Sequence, residues 1–353
     1  MKYSFFIFLA ILAFFNLNCN KTTVTDTPLS PDVYIAGEQI NGTKFVATVW
    51  KNGVPAFLPN SVNLDVLAWS VFVSDTDVYV AGHEGDKTNA KWYATIWKNG
   101  VETFLTSGFN YSDAFSVYVA GANVYVAGNI QFGTKLIATV WKNGVPTYLT
   151  NGSKDASAIS IFVSGTDIYV AGYEGDYPLR VAKVWKNGNP SSLTNGTLNA
   201  DSYGIVVSGT DVYVAGSESY STALSTTPVA KLWKNGVPKT LTVLQNLYST
   251  WASSVYVSGT DVYVALHNDE FQSGIKGAAL WKNGVRTQLT HSANFVNSSN
   301  ASSITGSQSD IYIVGREGDA PAGKFYATLW KNGVPSNLSN GTNYSFANSV
   351  FVK

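Results

Sequence analysis

Cysteine is almost absent from this chain of 353 residues: Cys19 is the only one. A lone thiol excludes an intrachain disulfide, so no covalent staple holds the fold. Methionine occurs once and histidine three times. Charge is scarce as well. Asp, Glu, Lys and Arg together make up 13%, against roughly 25% in ordinary soluble domains. Neither sign dominates, since 23 basic residues balance 23 acidic ones. That balance excludes a nucleic-acid partner, because such a binder needs a basic surface to displace counterions from phosphate. It also excludes docking to anionic lipid by charge alone. Long apolar runs are missing, and the one sustained run covers eleven residues, 5–15. A run that short does not span a bilayer. What the chain has in plenty is aromatic surface: 20 Tyr, 18 Phe and 10 Trp. Flat rings pack well on pleated sheet, so the composition points to β-structure.

The tryptophans are ordered. Trp50, Trp97, Trp141, Trp185, Trp233, Trp281 and Trp330 each open the tetrapeptide Trp-Lys-Asn-Gly, at spacings of 44 to 49 residues. A period in the forties is the mark of stacked or radially arranged units. One unit, residues 156–194, reads ASAISIFVSGTDIYVAGYEGDYPLRVAKVWKNGNPSSLT. It holds four short apolar runs, each bounded by a turn signal, which predicts four strands, a to d, in an antiparallel meander. Asn-Gly is the strongest short hairpin signal, since a two-residue type I′ turn requires positive φ at both positions. Five d strands carry an early proline (Pro55, Pro146, Pro190, Pro238, Pro335). Proline cannot donate a ladder bond, so d is predicted at the outer edge and the small-residue strand a at the centre. The ordered sequence opens on a strand b at Asp32 and closes on a lone strand a ending at Lys353. One unit is therefore split between the two ends, as a closed ring requires. An open solenoid would need atypical capping units instead.

Together these features resemble a seven-bladed β-propeller, with the strand order and the strand-c tryptophan of WD40-type and related bacterial propeller repeats. The resemblance covers residues 32–353. The Gly-His and Trp-Asp dipeptides of true WD40 repeats are missing, so only the architecture is implied. The predicted fold class is all-β: a seven-bladed propeller of four-stranded antiparallel blades, closed by the C-terminal strand a against the N-terminal strands b to d. The N-terminal segment reads differently. Lys2, the apolar run and Cys19 resemble a bacterial lipoprotein signal, in which the cysteine is lipidated, although Asn16 and Asn18 depart from its usual residues. The alternative is an ordinary signal peptide that happens to contain a cysteine. The expected organisation is a signal peptide at 1–18, a polar Thr/Pro tether at 19–31 and the propeller at 32–353.

Loops over a rigid scaffold are where function concentrates. The a–b and c–d turns are short, which leaves the b–c and d–a loops on the opposite face as the candidate surface. Three b–c loops read Glu-Gly-Asp, at 84–86, 174–176 and 317–319. Paired carboxylates can bind calcium or act as acid and base. The plainer expectation is a turn whose carboxylate faces the residue opening strand c: Lys91, Arg180 or Lys324. His83 and His267 stand at equivalent places in separate units, and with His291 they do not make a zinc set. Neither a cofactor nor a metal is expected. One feature breaks the repeat. Trp69, Phe115, Tyr203, Trp251 and Phe346, with Tyr111, Tyr248 and Tyr344 nearby, lie at or near the start of strand a in some units, where Ser253, Ser302 and Asn348 stand in others. Rings beside Ser and Asn suit sugar binding. Those five aromatics are the candidate ligand-binding residues, with packing between blades as the alternative. The expected function is a non-catalytic, exported binding or scaffold protein of the bacterial cell envelope. It is a monomer, touches the membrane only through lipid at Cys19, and has a glycan or an envelope protein as partner. A propeller enzyme acting on polysaccharide and a structural subunit of an envelope complex are the rivals.

Overall fold

The computed structural model describes residues 30–59, 64–86, 91–107, 111–221, 226–241, 249–269, 277–289, 299–319, 324–341 and 344–353. The expectations for the signal peptide and Cys19, for Tyr248 and for His291 fall outside them. Pro31–Lys353 form one compact unit. Among the described residues all regular structure is strand: 28 strands in seven four-stranded antiparallel sheets. The fold is a seven-bladed β-propeller.

In blade one, strands b (Val33–Asn41), c (Lys44–Lys51) and d (Val54–Phe57) come from the start of the unit. Its strand a (Ser345–Val352) comes from the end of the chain. The two ends are clasped by more than the ladder, because Asp32 and Lys353 exchange backbone hydrogen bonds at 3.0 and 2.9 Å. The other strands a are Asp65–Ser74, Ser112–Ala120, Ala156–Ser164, Ala200–Ser208, Ser249–Ser258 and Asn300–Ser307, in blades two to seven. Each touches the strand a of the next blade, and the last touches the first, so the inner strands form a closed ring. Strand d is the exposed edge, and its proline lies opposite the strand-c tryptophan, as in Trp141 with Pro146.

The core is not one mass but seven, one cluster at each interface between neighbouring blades. The repeated tryptophan sits in every one of them and is fully buried in six blades. The other letters of the repeat are explained at the turn. Asn adopts φ of 49–52° in all seven copies and the following Gly is also at positive φ, as a type I′ turn demands. The Asn side chain accepts from the backbone N–H that opens strand b, at 2.8–2.9 Å. Its amide donates to the Asp before that residue in six blades, at 2.7–2.8 Å. The Lys reaches the other oxygen of the same Asp at 2.6–2.8 Å. Its ammonium also lies over the strand-b tyrosine ring in all seven blades. Trp-Lys-Asn-Gly is thus a core anchor, a clamp and a turn in four residues. Blade three alone has Asn123 in place of the Asp, and its amide bond to Asn143 lengthens to 3.0 Å.

Two details of the loop face differ from expectation. The b–c connections of blades one and three are two-residue turns, Gly42-Thr43 and Gly133-Thr134, rather than long loops. In the Glu-Gly-Asp loop of blade four the carboxylates also find other partners than the one predicted, and Asp176 pairs with Lys135 at 2.6 Å. Glu174 pairs with Lys183 at 3.2 Å, a diagonal neighbour on the same sheet face, and not with Arg180. Arg180 instead reaches Asp201 of the next blade at 3.5 Å and stacks over Tyr173. Glu84 faces a second carboxyl, Glu102, which burial and this contact raise to about 8. The side chains of Asp86 and Asp319 lie outside the described residues.

Candidate ligand-binding channel

A β-bulge builds the site. In every blade the pairing of strand a with strand b slips by one residue near the middle of strand a. The slip leaves one unpaired residue, and a bulge of this kind re-aims a side chain. Strand b makes room for it with a glycine. At Gly37, Gly82, Gly128, Gly172, Gly216 and Gly315 a Cβ would collide with a strand-a carbonyl. Only blade six differs, with Leu266 at that place.

The unpaired residues are Trp69, Phe115, Ile159 and Tyr203 in blades two to five, then Ser253, Ser302 and Asn348 in blades six, seven and one. All seven are half-buried, and all seven line a single cavity of about 440 Å³. Its wall is therefore divided: an apolar arc over four consecutive blades faces a polar arc over three. Trp251 and Asn300, each two residues nearer the start of strand a than the bulge, and His267, opposite Trp251 on strand b, complete the rim on the side of the b–c and d–a loops. Below lies a smaller cavity of about 140 Å³, lined also by the seven residues that follow the bulge. Six of these are serines. The hydroxyl of each accepts from a backbone N–H on the strand a of the next blade at 3.2–3.4 Å. Gly204 is the seventh, so this collar of hydroxyls is interrupted once, between blades five and six.

Four of the five predicted aromatics (Trp69, Phe115, Tyr203, Trp251) are brought together in this lining. Phe346 is not. It packs against Phe45 and Phe325, with the Arg316 guanidinium 4.9 Å from its ring. Tyr344 stacks on Phe325. The residue absent from the prediction is Ile159, which completes the apolar arc as an aliphatic residue at the register the aromatics hold.

Behind the lining stands a ring of residues that varies from blade to blade. His83 Nδ1 bonds to Asp113 Oδ1 of the next blade, so Nδ1 is the donor. The Trp69 indole N–H lies 3.5 Å from that same nitrogen, at the limit of hydrogen bonding, and cannot be accepted by an atom that is already donating. The ring contact of Trp69 with His83, edge-on at 5.8 Å, is then what braces the tryptophan, together with Phe115 at 6.3 Å. His267 stacks on Trp251 at 5.2 Å. Asn129 donates to Ser157 at 3.0 Å. Glu38 is buried and accepts from Asn348 Nδ2 at 2.6 Å. Burial raises its pKa to about 8, against the opposing pull of that amide and of Arg316. Burial raises Asp201 too, while Arg180 acts against the rise. Sequence reasoning missed Glu38 and Asp113, because only the register of strand b against strand a reveals which blade each faces. Among the described residues no group of three or more His, Cys, Asp or Glu is placed to hold a metal ion.

Fold and channel define a seven-bladed propeller with an asymmetric axial cavity. No protein-family model matches the chain, and no curated protein matches it.

Proposed function

We propose that this is a non-catalytic binding protein of the bacterial cell envelope, exported and anchored by lipid at Cys19, that takes a glycan in the axial cavity. The observation that carries the glycan reading is the divided wall. Sugar rings present C–H faces to aromatic groups and hydroxyls to hydrogen-bonding groups, and both kinds of surface stand here across one cavity. Its volume of about 440 Å³ lies within the range of small-molecule sites, about 300–1,000 Å³. The address rests on the N-terminal sequence alone: Lys2, the apolar run at 5–15 and the single Cys19.

A glycan array probed with the full chain tests the ligand, with Trp69→Ala as the control. Array binding that the variant retains in full would move the site elsewhere, and a blank array would remove the glycan. Mass spectrometry of membrane fractions tests the address. Lipid on Cys19, lost with release of the chain in Cys19→Ser, supports the anchor; an unmodified or removed Cys19 overturns it.

A further inference from the structure

We propose that the cavity is built for the end of a neutral glycan whose terminal hexose carries an axial hydroxyl, and that Asn348 reads that hydroxyl. The inference rests on the glycan reading above and narrows it. It begins with an orientation. Asn348 Nδ2 donates to Glu38 Oε2 at 2.6 Å and to the carbonyl of Ala68 at 3.0 Å. An amide nitrogen has two hydrogens, and both are committed. Asn348 therefore offers the cavity its Oδ1 alone, a fixed acceptor. Ser253 and Ser302 beside it carry hydroxyls that rotate to suit. A ligand group that meets Asn348 must donate, which a hydroxyl does and a carboxylate, sulfate or phosphate does not.

The second step is facial. In a gluco-configured pyranose every hydroxyl is equatorial, so both ring faces are C–H and the polar groups form a belt. Such a ring suits two apolar walls. An axial hydroxyl makes one face polar and leaves the other bare. That is the division of this wall, with Trp69, Phe115, Ile159 and Tyr203 on one side and Ser253, Ser302 and Asn348 on the other. The cavity of about 440 Å³ gives way to one of about 140 Å³ at the serine collar, so a chain enters by its end.

Calorimetric titration of the full chain in detergent with methyl β-galactoside, methyl β-mannoside and methyl β-glucoside tests this. At least one of the two axial sugars is expected to bind about tenfold tighter than the glucoside, the worth of one well-placed hydrogen bond. Asn348→Ala should erase the preference while leaving weak binding to all three. Glu38→Gln, which keeps an acceptor for the Asn348 amide, should retain it. Should Asn348→Ala fail to fold, the wild-type ranking still decides. A glucoside that binds as tightly as both axial sugars overturns the inference and leaves the glycan reading intact. If no neutral glycan binds at all, the glycan reading itself has failed. An axial preference that survives in a folded Asn348→Ala overturns the role of Asn348.

Discussion

The two faces of this propeller are built by opposite rules. On the face of the a–b and c–d turns the same atoms recur from blade to blade: an Asp held by a Lys, an Asn at positive φ and a tyrosine ring under the ammonium. Towards the other face the blades diverge, and only two of the seven share a residue type. The strand-b residue facing the bulge region is Glu38, His83, Asn129, Tyr173, Ser217, His267 or Arg316, depending on the blade. Repetition does what every blade needs, namely to turn the chain and fill an interface. Divergence has no such use, since one good interface pair would serve all seven. The variable face is thus where the blades differ without need from the fold.

The largest effect should come from breaking the ring that both faces share. Deleting residues 345–353 removes the innermost strand of blade one and the Asp32–Lys353 clasp. It exposes a ladder edge on strand b, and an unprotected edge recruits other chains. The truncated chain is expected to unfold or to oligomerise, read by light scattering and circular dichroism. A monomer with unchanged melting would mean that the ring does not need its clasp.

Next in size is the contrast between two kinds of tryptophan. Trp141 is fully buried in the cluster joining blades two and three. Its replacement by alanine should cost about 3–5 kcal/mol of stability. Trp69 is half-buried at the cavity wall, braced edge-on by His83. Trp69→Ala should cost clearly less stability and should weaken binding of an array-identified glycan by about 1–3 kcal/mol. Equal melting losses for the two variants would make Trp69 an ordinary packing residue.

Most of the repeated face was legible in the sequence. Asn-Gly, the edge prolines and the split unit fix the turns, the strand order and the closure. The cavity was half legible. An aromatic that breaks the repeat is visible in a string of letters, so Trp69, Phe115 and Tyr203 stood out. Ile159 did not, and Phe346 was grouped with them although it lies two residues before the bulge. The reason is physical: a one-residue bulge shifts the facing of everything beyond it. Its place can be read only once the strand-b glycines are seen to oppose a strand-a carbonyl.

A smaller effect is expected from pH, and it separates the faces by sign. Glu38, behind the cavity, is raised to about 8 by burial. Its native form keeps a proton that the unfolded chain releases at the ordinary glutamate value. This favours the folded state below that value, and the benefit is lost as pH rises through about 8. Glu102 is raised to about 8 as well and acts in the same direction. The clamp aspartates are shifted the other way, lowered chiefly by their lysine hydrogen bonds, so their contribution is lost as pH falls through their native values. Stability should therefore peak in mild acid and decline on either side. In denaturant titrations Glu38→Gln should flatten part of the alkaline decline and leave the acid one untouched. A variant with the wild-type profile would show that Glu38 does not titrate in this range.

The smallest change tests the repeated face at its one exception. Blade three has Asn123 where six blades have Asp, and its lysine, Lys142, keeps the position over Tyr125 that the others share. The Asn143 turn is intact, with its side chain still accepting from the Val124 N–H at 2.8 Å. Asn123→Asp should therefore complete the seventh clamp with no rearrangement, because every other atom is already in place. The pair would be exposed to solvent, and such pairs contribute little. A slight rise in melting temperature is expected at neutral pH and low salt. The rise should shrink in high salt by screening. It should also vanish in acid, as the new carboxylate takes up its proton. A gain that persists in both conditions would not be electrostatic. A loss at neutral pH would mean that blade three carries Asn for a reason of its own, and that the repeated face is less uniform in purpose than in form.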